Sequence, residues 1–177
     1  MAWNEEKNIE KVMKNYLKIK GFNPIGKFRD EKLHGVDICV ANLEKGVRRY
    51  WFIECKGFPS RNYKKGKKEG KVKESQTIKA QRYSWLTTAI GQIAMRMKQA
   101  HGNYGIALPY NDYYITKVLD SPNNLPDYQK TYLKIFRSRS KIYFFFITKN
   151  ADIWQVSPNS NKLKLIFKGK GFIGEKR

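Results

Sequence analysis

The sequence predicts a mixed α/β domain. Three observations carry this. The chain opens on an amphipathic helical pattern, continues in paired strand-length runs of β-branched and aromatic residues, and then returns to a helical stripe before further buried runs. Over "NEEKNIEKVMKNYLKIKGF", the residues Ile9, Val12, Met13, Tyr16 and Leu17 share one helical face. Asn4 is the expected N-cap, Glu5 and Glu6 suit the first turn, and Gly21 suits the position after the C-cap. "IGKFRD" is expected as a short first strand, and "GVDICVA" and "VRRYWFIEC" as a hairpin around "NLEKG". A second helix is expected within residues 76–100, with Leu86, Ala89, Ile90, Ile93, Ala94 and Met97 as its stripe and His101-Gly102 ending it. "YGIALPY" reads as a buried strand and "LPDYQKTYLKIFRSR" as a third helix with Pro126 near its start. "KIYFFFITKN" and "DIWQVSP" form a late hairpin around "KNAD", and "KLKLIFKG" adds an edge strand before a Gly-rich basic tail.

The 177 residues suffice for one domain with a real core. With 41% hydrophobic and 14% aromatic residues, a disordered basic tail is excluded. The 36 Lys and Arg against 15 Asp and Glu give a net charge of +21. Such self-repulsion calls for a polyanion, and nucleic acid is the expected partner. Cys39 and Cys55 lie inside apolar runs and read as small buried residues, and no C-x-x-C or His/Cys cluster argues for zinc. The polar N-terminus is unlike a signal peptide, and the longest apolar run, "IYFFFI", is strand-sized. A soluble, intracellular protein with no membrane partner is expected.

Three charged residues sit where sheet core is expected. If the hairpin turn centres on Lys45-Gly46, Asp37 stands opposite Glu54, on the sheet face that Lys56 shares by alternation. Two carboxylates about 5 Å apart repel unless a cation compensates them. Lys56 supplies part of that compensation. A divalent ion with few protein ligands, Mg²⁺ or Mn²⁺, would supply the rest. Lys56 could then orient a water or stabilise developing negative charge. A structural salt bridge is the alternative, but burying three charges to make one is costly. The tripeptide E-x-K alone is weak, since Glu5-Glu6-Lys7, Asp30-Glu31-Lys32 and Glu69-Gly70-Lys71 resemble it. Only Glu54-Cys55-Lys56 ends an apolar strand with an aspartate at hairpin distance upstream.

"GVD", a turn and "FIECKG" resemble the PD-(D/E)XK nuclease superfamily, which has the restriction-endonuclease-like fold. The resemblance covers roughly residues 5–110, as an αβββαβ core with a mixed central sheet flanked by helices. Residues 111–177 would be a C-terminal extension of one domain spanning residues 1–177. The resemblance implies an Mg²⁺-dependent nuclease, with Asp37 and Glu54 as metal ligands, the Cys55 backbone carbonyl as another, and Lys56 as the catalytic lysine. The superfamily's leading proline is absent, since Val36 precedes Asp37. Many members carry a glutamate on the first helix, and archaeal Holliday-junction resolvases place it about three turns before a Gly-Phe pair. Glu10 has that spacing to Gly21-Phe22, with Glu6 one turn earlier as the backup and a solvated helix glutamate as the alternative. Gln92, beside the second helical stripe, is similarly placed to a polar residue that restriction-like nucleases bring near the site. A boundary glutamine is its alternative. His34 and His101 read as incidental loop and helix-end residues.

Residues 57–73 start directly after Lys56 and contain seven Lys or Arg, one Glu and three Gly. A mobile cationic loop is expected, with Arg61, Lys64, Lys65, Lys67, Lys68, Lys71 and Lys73 as phosphate contacts. Phe58 or Tyr63 could stack on a base. Arg137, Arg139 and Lys141 would extend the surface. The leading expectation is an endonuclease acting on DNA. A non-catalytic basic binding or assembly subunit and an RNA-cleaving nuclease fit the same charge, and cutting both strands would suggest a homodimer.

Overall fold

The computed structural model describes residues 3–25, 36–97, 102–119, 137 and 139–171. Helix α1 spans Glu6–Ile19 and buries Ile9, Val12, Met13 and Leu17, the expected stripe. Its N-cap is Glu5 rather than Asn4, in extended conformation and with no side-chain cap. Asn4 is used otherwise: its carbonyl accepts a hydrogen bond from the Phe58 N–H at 2.9 Å. At the other end, Gly21 takes φ +81°, and its N–H bonds the Lys18 carbonyl while the Phe22 N–H bonds that of Leu17. This double bond pattern closes the helix, and only a residue tolerant of positive φ can stand at its corner.

Strands β1 (Asn23–Pro24), β2 (Ile38–Glu44) and β3 (Val47–Cys55) follow, paired antiparallel. β1 is only two residues long, and the expected strand over 25–30 lies, beyond Ile25, outside the described residues. The β2–β3 turn is centred on Lys45-Gly46, both at positive φ (+50° and +78°), as a two-residue hairpin loop matched to strand twist requires. Helix α2 (Ser75–Ala94) crosses to β4 (Gly102–Pro109), which lies parallel to β3. The helix stops at Ala94, well short of His101-Gly102; Ala94 is exposed and Met97 only partly buried, so the apolar stripe effectively ends at Ile93.

Helix α3 (Asp112–Leu119) was not expected from the sequence. Asn111 caps it: its side-chain oxygen accepts from the Tyr113 N–H at 3.0 Å, and Asp112 stands in the first turn. The "YND" signal was legible, but a single apolar face of only two buried residues, Tyr114 and Val118, hid it among aromatic neighbours. The helix expected over 125–139 falls, apart from Arg137 and Arg139, outside the described residues, as do His34, His101 and the tail beyond 171. β5 (Ile142–Ile147) pairs parallel with β4, and β6 (Ile153–Val156) and β7 (Leu163–Phe167) complete the sheet as an antiparallel meander, as expected.

The result is one seven-stranded mixed sheet in the order β1 to β7. α1 covers one face with Ile38, Val40, Ile53, Cys55, Phe145 and Ile153, while α2 and α3 cover the other with Phe52, Tyr104, Ile106, Phe144 and Phe146. Both cysteines are unpaired thiols, Cys55 buried and Cys39 half-buried. Among the described residues no helix is long and apolar enough to cross a membrane.

Arg137 is not a surface cation. It is 2% exposed, and its guanidinium donates to the Val118 carbonyl at 2.7 Å, the Pro158 carbonyl at 3.3 Å and the Asn161 side chain. It joins the end of α3 to the β6–β7 connection. Arg137→Ala should destabilise the fold by about 3 kcal/mol, because the change strands buried carbonyls. Urea denaturation reads the loss, and a change under about 0.5 kcal/mol, the size of an ordinary surface substitution, would return Arg137 to the surface set. Arg139 and Lys141 are exposed, as expected.

Candidate active site

The register of the β2–β3 ladder runs from Glu44↔Val47 to Ile38↔Ile53. One step beyond the last pair, Asp37 stands opposite Glu54, as the turn position requires. Asp37 itself immediately precedes β2, and its Oδ2 accepts the Cys55 N–H at 2.6 Å. This aspartate therefore caps the open end of the ladder. Glu54 is 1% exposed, and its Oε1 takes the Lys56 Nζ at 2.6 Å. Its other oxygen, Oε2, is buried and has no hydrogen-bond partner among the described residues. A buried carboxylate oxygen left unpaired is costly, and it marks the place where a cation would be held.

The N-terminal turn of α1 closes over this end of β3. Gly57 permits it, since a Cβ there would lie 2.7 Å from the Glu6 nitrogen and 2.9 Å from the Asn4 oxygen. On the opposite side the Tyr114 hydroxyl donates to the Gly57 carbonyl at 3.3 Å. This close approach brings in Glu6, whose carboxylate lies 3.9 Å from Lys56 Nζ and accepts a hydrogen bond from the Gly57 backbone. Glu10 instead pairs with Lys14, although its charge is felt at Asp37. The helical stripe carried this distinction: continued one turn back from Ile9 and Met13, it passes nearer Glu6 than Glu10.

The electrostatics follow from crowding three carboxylates round one ammonium. Burial raises the pKa of Glu54, Asp37's charge adds to the rise, and the Lys56 hydrogen bond opposes it. Asp37 is likewise raised by burial and by Glu10, against the Cys55 N–H and Lys56. Burial also raises Glu6, with Asp37 adding and Lys56 subtracting. For Lys56 burial favours the neutral amine, but the Glu54 hydrogen bond and the charges of Glu54, Glu6 and Asp37 outweigh it and hold the pKa above the ordinary lysine value. Lys56 is thus a firmly charged donor and cannot serve as a base at neutral pH.

Among the described residues no group of three or more His, Cys, Asp or Glu side chains gathers as a metal cage. The donor set that exists, Asp37 and Glu54 with the carbonyl of Cys55, the residue after Glu54, fits a hard cation that keeps most of its waters. Gln92 is not brought into the hydrogen bonds of Asp37, Glu54 and Lys56; its side-chain oxygen is buried without a hydrogen-bond partner among the described residues.

The basic segment after Lys56 folds back on itself. Its ends pair across an Asn62↔Val72 bridge, with Lys73 N–H to Arg61 carbonyl at 2.8 Å and Tyr63 N–H to Lys71 carbonyl at 3.0 Å. Lys64 reaches Glu5 at 3.1 Å, and Lys73 reaches Gln81 at 3.0 Å. Both aromatic rings have cations beside them: the Arg82 guanidinium lies 4.3 Å from the Phe58 ring centre, and Lys73 and Lys68 lie 5.6 and 5.8 Å from that of Tyr63. Glycines spaced through a lysine run read as flexibility in the sequence, whereas Gly66 and Gly70 supply the positive φ that folds the ribbon back. Comparison with family models, curated proteins and solved structures found no match to this chain.

Proposed function

We propose that this protein is a metal-dependent nuclease of the PD-(D/E)XK type, with a restriction-endonuclease-like fold, that hydrolyses phosphodiester bonds within DNA. The observation that carries the reading is Glu54: a buried carboxylate with one oxygen on Lys56 and the other unpaired, opposite Asp37 at a strand end beside a strongly basic ribbon. A structural salt bridge has no use for the unpaired oxygen. The helix, hairpin, crossover helix and parallel strand follow the order that the resemblance implies.

Asp37, Glu54 and the Cys55 carbonyl would hold Mg²⁺, or Mn²⁺ in its place. When bound, the ion neutralises phosphate charge and makes a coordinated water more acidic. The chain's own residues do the rest. Lys56, kept protonated by its carboxylates, donates to the attacking water or to the phosphate oxygen as negative charge develops. Glu6 and Glu54 hold that ammonium between them. Asp37 fixes the Glu54–Cys55 peptide, and the Lys56 N–H on the Ala107 carbonyl at 3.0 Å fixes the next peptide, which carries the Cys55 carbonyl.

The test is cleavage of linear, nicked, flapped, single-stranded and four-way-junction DNA with Mg²⁺ across a pH series. Cleavage should be metal-dependent and should fall on the acid side at a pH above the ordinary carboxylate range. The sign follows from Asp37 and Glu54: their pKa values are raised, so protons displace the cation at a higher pH than they would at exposed carboxylates. No cleavage of any form with either Mg²⁺ or Mn²⁺ would sink the proposal.

A further inference from the structure

Residues 61–73 fold back on themselves as a short ribbon paired at the isolated Asn62↔Val72 bridge, and its chemistry restricts the kind of nucleic acid it fits. Seven Lys or Arg and one Glu lie in these 13 residues. Residues 64–72 are all exposed. The ribbon is closed by the Gly70 N–H on the Tyr63 carbonyl at 2.9 Å and the Glu69 N–H on the Gly66 carbonyl at 2.9 Å. Its base is fixed beside Lys56 by Phe58 on Asn4, Lys64 on Glu5 and Lys73 on Gln81. Tyr63 holds Lys68 and Lys73 against its ring.

We propose that this ribbon enters the major groove of B-form DNA and makes duplex DNA the preferred substrate. The inference rests on the nucleic-acid reading above. Two extended arms bridged about 5 Å apart form, with their side chains, an element of roughly 10 Å, which fits a groove about 12 Å wide and not one of about 6 Å. Single strands are gripped by aromatic platforms, whereas the ribbon carries a single ring, Tyr63, with Lys68 and Lys73 beside it. The deep, narrow major groove of double-stranded RNA does not admit such an element.

The experiment is binding of fluorescent 20-mers by the full chain without divalent metal, over a salt series. Duplex DNA should bind at least about tenfold tighter than single-stranded DNA or duplex RNA at about 0.15 M salt, and duplex DNA filled in the major groove by glucosylated cytosines should bind weakly. Lys65→Gln/Lys67→Gln/Lys71→Gln should flatten the salt slope by about 2 to 3 and cost on the order of a hundredfold in affinity. Gly70→Val and Tyr63→Ala keep all seven cations but disturb the ribbon. Each should weaken duplex binding about tenfold with melting temperature unchanged, whereas a flexible arm would not respond. Equal affinity for the three nucleic acids, indifference to the groove filling, or wild-type affinity in both ribbon variants overturns the proposal. Ribbon-dependent duplex binding without cleavage would overturn the nuclease reading alone, and cleavage without ribbon dependence would overturn this one alone.

Discussion

Asp37→Asn will lower Mg²⁺-dependent DNA cleavage by about a thousandfold, the scale expected when a transition-state charge loses its support, while leaving the metal-free fold as stable as wild type or more so. The two halves of this outcome have one cause. The Asp37 carboxylate is held above its ordinary pKa by burial and by Glu10, so ionising it works against folding. For a group with a raised folded pKa, stability is greatest below the unfolded pKa and declines as pH rises through the folded one. Asparagine removes that charge yet keeps an oxygen that can accept the Cys55 N–H. The ladder end stays capped, and repulsion with Glu54 disappears. Thermal melting in chelator at pH 8 and cleavage in Mg²⁺ check both halves. A variant that melts well below wild type would make Asp37 a structural cap first. One that cleaves at wild-type rate would remove it from the chemistry.

Much of this site was legible because strand pairing is arithmetic. A turn at Lys45-Gly46 fixes which residues face each other for the whole hairpin, so Asp37, Glu54 and Lys56 could be brought together before any coordinates. The resolution failed where contacts join segments distant in sequence. That Gly57 packs under the first turn of α1 depends on a close approach between residues some fifty positions apart; the helical stripe leaned towards Glu6, but only that approach brings its carboxylate to Lys56. The ribbon failed differently. Lysine and glycine are common to floppy arms and to tight turns, and the backbone hydrogen bonds that decide between them leave no mark on composition. Arg137 failed because a basic residue in a basic chain reads as surface; its burial is set by carbonyls of α3 and of the β6–β7 connection. α3 was missed because two buried residues make too short a stripe to stand out.

Lys56→Met should separate the structural work of the lysine from its chemical work. In the metal-free protein Glu54 would keep its burial and lose the Nζ that now lies 2.6 Å from Oε1, while Oε2 is already unpaired. Removing one partner of a buried pair costs about 3 kcal/mol, or roughly 8 °C in melting temperature for a chain of this size. The loss should depend on pH. Without Lys56 the Glu54 pKa rises further, so the variant is close to wild type in acid, where Glu54 is protonated, and falls behind as pH rises and the charge must be buried. Mg²⁺ should then raise the variant's melting temperature more than the wild type's, since a bound cation offsets the charge that the lysine no longer does. Cleavage should stay down by about 10²- to 10³-fold even where Mg²⁺ has restored the fold, because the donor to the reacting oxygens is gone. Glu54→Gln/Lys56→Met serves as the control. It has no charge to bury, so its melting temperature should be flat with pH in this region and should respond little to Mg²⁺. An equal Mg²⁺ response in the single and double variants would place the ion away from Glu54 and would break the link between the unpaired oxygen and the metal.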